Sequence, residues 1–221
     1  IMHSPLVKYV ISALEAVEKN FPYEAVFTCL KTGLTELKEE ETDLLENACL
    51  AGGIRGVSRW SSDWQISAEE AENLAINRLR EKAVGPLLHF RESLTVRNRR
   101  IRDIAEALKQ LMTPQVLERL TAMDESQEAV AEIVSRLLDQ LEDMLGEEKI
   151  TLHDFRDLLE AGLSEARVGL LPLYFDQVQA GDIHRSRLTD IKALFFLGLN
   201  EELLAGETTG GILSDEEREI L

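Results

Sequence analysis

The chain has 221 residues, of which 41 are Asp or Glu and 24 are Lys or Arg, so its net charge is −17, and 44% of the residues are hydrophobic. A chain of this length buries roughly 70% of its unfolded surface, so a stable core needs neither a metal ion nor a disulfide. The longest apolar stretch, 191–199, contains Lys192 and is far shorter than the ~20 residues of a membrane span, which argues against a membrane partner.

Helical periodicity dominates the first 165 residues and predicts a mainly α fold. Apolar residues recur at helical spacing from Leu6 to Val17. A second helix is expected between Pro22 and Gly33, because proline fits a first helical turn and glycine a helix end. The two helices are expected to be antiparallel neighbours.

Three further helix starts carry candidate side-chain caps. Ser67 and Glu70 have capping-box spacing, which predicts a helix from about Ala68. Thr113 precedes a proline, and Thr151 precedes a carboxylate by three residues, so both are expected to be N-caps. Between these two threonines one apolar stripe predicts a long helix: Val130, Ile133, Val134, Leu137, Leu138, Leu141 and Leu145.

The pattern changes after Pro172. Two short segments, 176–180 and 191–197, are expected to be strands, because the second is rich in aromatic and aliphatic residues and both are too short for another long helix. We therefore predict a helical domain over 1–170 and a small α/β piece over 171–221.

The charge is distributed unevenly. Residues 1–77 carry 6 basic and 13 acidic side chains, 103–167 carry 6 and 16, and 168–221 carry 4 and 10. Residues 78–102, in contrast, carry 8 basic and 2 acidic side chains, a net charge of +6. An acidic surface repels nucleic acid, whose affinity for proteins comes largely from Lys and Arg, so this segment is the candidate DNA-binding track.

The arginines at the end of this segment are the candidate DNA contacts. A helix at 100° per residue places Arg99 and Arg102 away from the apolar face, with Arg100 at its edge. Phosphate contact is one interpretation. Ion pairing with the acidic helices that follow is the alternative. The apolar face consists of Ile101, Ile104, Ala105, Leu108 and Leu111.

A second basic surface is possible on sequence grounds. Arg55 and Arg59 lie close to Trp60 and Trp64, and aromatic rings beside arginines can stack on nucleic-acid bases. A tryptophan is more often a core residue, and that is the alternative for Trp60.

Motifs of known enzyme chemistry are missing from the sequence. It has no GxxxxGK[ST] phosphate loop, no GxGxxG fingerprint, no HExxH pair and no GxSxG elbow. Its four histidines lack ligand spacing, and Cys29 and Cys49 form neither a zinc motif nor a disulfide framework. We expect no catalytic residue, no metal site and no cofactor in this chain, and a reducing cytoplasm as its location.

Several separated blocks resemble, in order, the AddB (RexB) subunit of bacterial ATP-dependent helicase/deoxyribonucleases, a family related in design to RecBCD. These blocks are Lys31-Thr-Gly-Leu34, Asp43-Leu-Leu-Glu-Asn47, Gly53-Ile-Arg-Gly56 with Arg59-Trp60, Gly181-Asp-Ile-His-Arg-Ser-Arg187, Asn200-Glu201 and Gly211-Ile-Leu-Ser-Asp-Glu-Glu-Arg218. Residues 105–165 carry no diagnostic block.

The resemblance implies an internal fragment of a longer polypeptide. By it, 1–170 is the helical 2B-type insert of a UvrD-like helicase lobe, and 171–221 is the start of the returning 2A-type lobe. The intact parent would use ATP, Mg and a 4Fe-4S cluster bound outside this segment. It would work with an AddA (RexA) partner on single-stranded DNA and duplex ends.

The resemblance also implies a degenerate motif V in the tail, a motif that couples nucleotide to single-stranded DNA. His184 and Arg187 then stand at DNA-side positions and Asp190 at a ribose-contact position. Leu188 replaces a glycine of the motif, and Asp182 replaces a hydroxyl residue, which suits a lobe kept as scaffold rather than as motor. The alternative is that these charged side chains pair with one another beneath the strand.

We therefore expect a non-motor, DNA-guiding part of an AddB-type subunit in the processing of double-strand DNA ends for recombinational repair. The fragment alone is expected to be inactive toward ATP and DNA. The alternative is an all-helical protein–protein interaction module without nucleic-acid contact.

Overall fold

The structure is a computed structural model that describes residues 1–94, 99–166 and 195. In this part it contains α-helices and no strand, so the predicted mainly α class is confirmed there. The helices are α1 (Pro5–Glu18), α2 (Tyr23–Leu30), α3 (Glu39–Ala51), α4 (Val57–Trp60), α5 (Glu70–Ser93), α6 (Ile101–Leu111), α7 (Pro114–Met123), α8 (Gln127–Leu145) and α9 (Leu152–Glu165).

The chain divides into two compact units, Ile1–Leu170 and Leu171–Leu221. Their assignment to 2B-type and 2A-type lobes stays a prediction. The predicted strand 176–180 lies outside the described residues, and so does the predicted strand 191–197 apart from Phe195, which is exposed and has no strand assignment. No helix in the described part is both long and apolar enough to cross a membrane.

The first two helices follow the predicted boundaries. Ser4 caps α1, its hydroxyl accepting from the Leu6 backbone N–H at 3.3 Å, and α2 begins directly after Pro22. Gly33 has a φ of 75°, and a Cβ there would lie 2.5 Å from the Cε of Met123. Only glycine fits this turn without strain, which accounts for its place in the Lys-Thr-Gly-Leu block.

Two of the three predicted caps are confirmed and one is wrong. Thr113 accepts from the Val116 N–H at the start of α7, and Thr151 accepts from the Asp154 N–H at the start of α9. The capping box at Ser67 does not form. Its helix, α5, begins at Glu70, two residues later than predicted.

The reason for the later start is an asparagine in the first turn of α5. The side-chain oxygen of Asn73 accepts from the backbone N–H groups of Ile66 and Ser67, at 2.8 and 3.0 Å. The Asn73 amide also donates to the Ser67 carbonyl at 2.8 Å. These bonds hold residues 66 and 67 in a loop, and the Ser67 hydroxyl accepts only from the Glu69 N–H. Side-chain bonds of this kind compete with helix formation.

The core is continuous through the helical unit. The predicted face of α6 is confirmed, because its apolar residues are buried. The predicted stripe of α8 is confirmed in part: Val130, Val134, Leu138 and Leu141 are buried, whereas Ile133 and Leu137 are only half-buried. α6 packs on α8, and α1 packs on α2 and α9. The stripe on α8 ends before Leu145, which is 40% exposed.

Candidate nucleic-acid interface

A short antiparallel bridge positions the chain just before α6 against the link between α8 and α9. The Arg99 carbonyl accepts from the Ile150 N–H at 3.3 Å, and the Ile101 N–H donates to the Glu148 carbonyl at 3.0 Å. The basic segment is therefore fixed beside an acidic link that lies almost fifty residues further along the chain. Sequence proximity gives no sign of this pairing.

Arg100 and Arg102 both form ion pairs with Glu147 on that link. The Arg102 guanidinium lies 2.7 Å from Glu147 Oε1, and Arg100 contacts the other carboxylate oxygen. This is the geometry expected from the intramolecular alternative. The two arginine side chains remain 47% and 49% exposed. Exposed ion pairs contribute only about 0–1 kcal/mol each to stability. The main effect of Glu147 here is to reduce the positive potential around the two arginines.

Arg91 and Arg99 have a different environment. They line an open cleft of about 470 Å³ at the end of α5 and the start of α9. Neither guanidinium forms an ion pair with a carboxylate among the residues that the structure describes, in contrast to Arg100 and Arg102. The cleft residues are Val17, Glu18, Arg91, Leu94, Arg99, Thr151, Leu152 and His153.

The electrostatics of the cleft favour an anion. Glu18 is its one carboxylate among the described lining residues, and it is neutralised by Arg156 at 2.5 Å and contacted by His153 at 3.1 Å. The N-terminus of α9 also opens on the cleft through Thr151, and the first N–H groups of a helix carry partial positive charge. Among the described residues, the cleft therefore presents two arginines that form no ion pair, and its carboxylate, Glu18, is bound by Arg156.

The other described basic residues of the segment, Arg78, Arg80 and Lys82, differ in exposure and in ion pairing. Arg78 is exposed, whereas Arg80 is buried. Lys82 lies 3.5 Å from Glu41, as an ion pair that is one-third exposed. Arg97 lies outside the described residues. The described basic residues of the segment thus do not form one continuous track, and the two arginines of the cleft are the most favourable of them for an anion.

Arg80 is a structural residue that sequence reasoning missed. Its guanidinium donates to the buried Trp60 carbonyl at 2.9 Å, to Asp63 at 2.9 Å and to Asn77 at 3.2 Å. These bonds hold the loop that follows α4 against α5. The spacing of Asn73, Asn77 and Arg80 on one helix face was the available signal, since all three bind this loop.

The second basic and aromatic surface predicted from the sequence is wrong in its aromatic part. Trp60 and Trp64 are fully buried and pack edge-on with ring centroids 5.1 Å apart. The Trp64 indole N–H donates to the Arg59 carbonyl at 2.8 Å. Neither ring can stack on a base, while Arg55 and Arg59 remain exposed. The alternative interpretation of Trp60 as a core residue is confirmed.

Three predicted site residues, His184, Arg187 and Asp190, lie outside the described residues, so their roles stay predictions. Within residues 1–94 and 99–166 no group of His, Cys, Asp or Glu side chains has the arrangement of a metal site. The two cysteines are free thiols buried in the core.

The described part of the chain is thus a helical body that carries a cationic surface cleft. No family model matches the chain. Curated relatives, each named as the B subunit of an ATP-dependent helicase/deoxyribonuclease, match it over its full length: 37% identity in Lachnoclostridium phytofermentans and 36% in Pelotomaculum thermopropionicum, each over 100% of this chain. In Bacillus cereus a relative of the same name is 36% identical over 99% of it.

The chain is homologous over its full length to a segment of these helicase/deoxyribonuclease B subunits, as the sequence blocks predicted. It spans only 21% to 22% of the length of these relatives. The similarity includes residues 105–165, where the sequence offered no diagnostic block, because the match covers the whole chain.

Proposed function

We propose that this chain is a scaffold and DNA-guiding part of the B subunit of an ATP-dependent helicase/deoxyribonuclease that processes double-strand DNA ends for recombinational repair. The names of its relatives support the enzyme class of the parent protein. The site supports the guiding role, since Arg91 and Arg99 give it a charge that favours an anion.

The observation that carries the proposal is the cleft of Arg91 and Arg99. A nucleic-acid backbone is a regular array of phosphates, and arginine binds phosphate oxygens through two parallel N–H groups. Arg91 and Arg99 form no ion pair with a described carboxylate, so their guanidinium groups are available for such contacts. Arg100 and Arg102 already form ion pairs with Glu147, so they would contribute less to DNA binding than Arg91 and Arg99.

The remainder of the activity belongs to other parts of the assembly under this proposal. An AddA-type partner supplies the motor, and ATP, Mg and the 4Fe-4S cluster bind outside this segment. The assembly works in the cytoplasm. We expect the purified chain to hydrolyse no ATP and to cut no DNA, and DNA-stimulated ATP turnover by the purified chain would contradict the scaffold role.

DNA binding by the purified chain tests the guiding role. The affinity of the Arg91→Gln, Arg99→Gln double variant for a labelled single-stranded oligonucleotide should fall by about tenfold or more in fluorescence anisotropy. The reason is that each lost phosphate contact reduces the number of counterions released on binding. The Arg100→Gln, Arg102→Gln variant is the control, because it changes the net charge by the same amount. Equal losses in both variants would mean that bulk charge, not the cleft, decides binding.

A second candidate function is the helical interaction module, which binds a partner protein and no nucleic acid. Met144 and Leu145 favour it, because they are 79% and 40% exposed at the end of α8. The same titration separates the two functions. Absence of oligonucleotide binding by the unmodified chain at low salt would favour the protein-binding module.

A further inference from the structure

A small pocket lies apart from the cationic cleft, between α1, α2, α5 and α7. Its volume is about 160 Å³. That is close to the ~150 Å³ of an engineered protein cavity that holds benzene, a ligand of six non-hydrogen atoms. The polar residues that line it are Tyr9, Cys29, Thr35, Glu36, Lys82, Thr113, Gln115 and Arg119.

Two hydroxyl groups of this pocket lack partners within the described part of the chain. The Oγ1 of Thr35 is buried and forms no hydrogen bond there. Tyr9 is only 3% exposed, and no hydrogen bond joins its hydroxyl to another described residue. A buried polar group without a partner costs about 1–3 kcal/mol, so an acceptor bound beside the Thr35 hydroxyl would relieve this cost.

Arg119 brings a positive charge to the same pocket. Its guanidinium donates to the Leu34 carbonyl at 3.3 Å and has no carboxylate partner among the described residues. Lys82 adds a second cation at the rim, where its ion pair with Glu41 is long, at 3.5 Å, and partly exposed. Glu36 also lines the pocket, but it is exposed, so water screens its carboxylate.

The state of the tyrosine fits an anion as well. Burial raises the pKa of Tyr9 well above its ordinary value, with Cys29 adding to the rise and Arg119 opposing it. The Tyr9 phenol therefore stays protonated and neutral at neutral pH, and its O–H can donate a hydrogen bond to a ligand. An oxygen acceptor beside it would gain a donor from each of Tyr9, Thr35 and Arg119.

We propose that this pocket binds a small oxoanion through the guanidinium of Arg119 and the hydroxyls of Thr35 and Tyr9. The ligand is a free phosphate or a compact carboxylate. The pocket is smaller than the sites of drug-sized ligands, which occupy about 300–1,000 Å³, so its volume favours a small anion. This site is independent of the DNA-guiding role, since none of its residues lines the cationic cleft.

Ligand-dependent stability of the full 221-residue chain tests the proposal. Inorganic phosphate and acetate are titrated separately, each against sodium chloride of equal ionic strength, and the thermal midpoint is followed. Binding to the folded state alone raises the midpoint by mass action. Arg119→Gln should weaken the binding of the anion about tenfold or more, because it removes a charged hydrogen bond. Arg136→Gln, an exposed arginine of α8, is the matched control and should leave binding unchanged.

Thr35→Val provides a second readout that does not depend on Arg119. Without the anion, the variant should be as stable as the original chain or more so, because the unpaired hydroxyl is replaced by a methyl group of the same size. With the anion, it should gain less stability than the original chain. The variant is thus expected to be at least as stable as the original chain without the anion and to gain less from the anion. A threonine with a purely structural role would not give this dependence on the anion.

Each outcome of the titration decides the proposal. A rise with phosphate alone assigns the ligand to tetrahedral anions, and a rise with acetate alone assigns it to carboxylates. A rise with neither salt, or a rise that persists unchanged in both Arg119→Gln and Thr35→Val, overturns the proposal.

Discussion

Replacement of Arg80 by methionine should loosen the end of α4 and the loop that follows it, which carry Trp60 and Trp64. The guanidinium is 4% exposed and donates to the buried Trp60 carbonyl. Methionine fills a similar volume with an apolar chain, so it removes the three donors without leaving a large cavity. The perturbation therefore isolates the hydrogen bonds from the packing.

The expected loss of stability follows from the partners. A hydrogen bond from a charged donor contributes about 1.5–3 kcal/mol, and loss of it leaves the Trp60 carbonyl buried without a partner. Asp63 is 79% exposed, so water solvates its carboxylate and the ion pair adds little. Methionine also removes the cost of burying the Arg80 guanidinium charge, which offsets part of the lost stability. We expect a net destabilisation of about 2 kcal/mol.

Urea unfolding followed by tryptophan fluorescence measures this directly, because Trp60 and Trp64 are the two tryptophans of the chain, both are buried, and Arg80 binds the Trp60 carbonyl. Asp63→Asn serves as the control and should cost less than about 1 kcal/mol, because it changes only the exposed partner. A methionine variant as stable as the original chain, within about 0.5 kcal/mol, would refute the structural role of Arg80.

Two further predictions concern other parts of the helical unit. Tyr23 donates to Glu46 at 2.6 Å, and this bond raises the pKa of Tyr23 to about 12. The stabilisation of the fold by this bond is complete below the ordinary tyrosine pKa of 10 and is lost as the pH rises toward about 12. In the Glu46→Gln variant, absorbance titration should place the pKa of Tyr23 nearer 10. In α8, Leu138→Ala should cost about 2–5 kcal/mol, because Leu138 is fully buried. Leu145→Ala, at a 40% exposed position, should cost less than about 0.5 kcal/mol, and equal costs in urea unfolding would contradict the burial pattern of this helix.

The features predicted well from the sequence are those decided by neighbours within one or two helical turns. Thr113 and Thr151 cap their helices because the bond joins residues three apart. The apolar residues of α6 and four of the seven stripe residues of α8 are buried because helical geometry fixes their face. The family itself could be recognised from separated blocks, since their order along the chain is informative without any structure.

The features that failed depend on competition or on distant contacts. Asn73 takes the backbone groups that a capping box at Ser67 needs, and a spacing rule does not include that competitor. Arg80 is buried by a loop seventeen or more residues away, so its position in a basic segment suggested a surface role. The partner of Arg102, Glu147, could be anticipated only as one alternative, because no local pattern links the two residues.

The salt dependence of single-stranded DNA binding tests the central claim most directly. Single strands lose affinity with a slope of about −0.7 in log K against log salt for each phosphate contacted. If Arg91 and Arg99 each contact one phosphate, the Arg91→Gln, Arg99→Gln variant should have a slope shallower by about 1.4 than the original chain. The Arg100→Gln, Arg102→Gln variant should keep a slope close to the original, because Glu147 already binds these arginines. An unchanged slope in the Arg91 and Arg99 variant would contradict the assignment of the cleft to the DNA backbone.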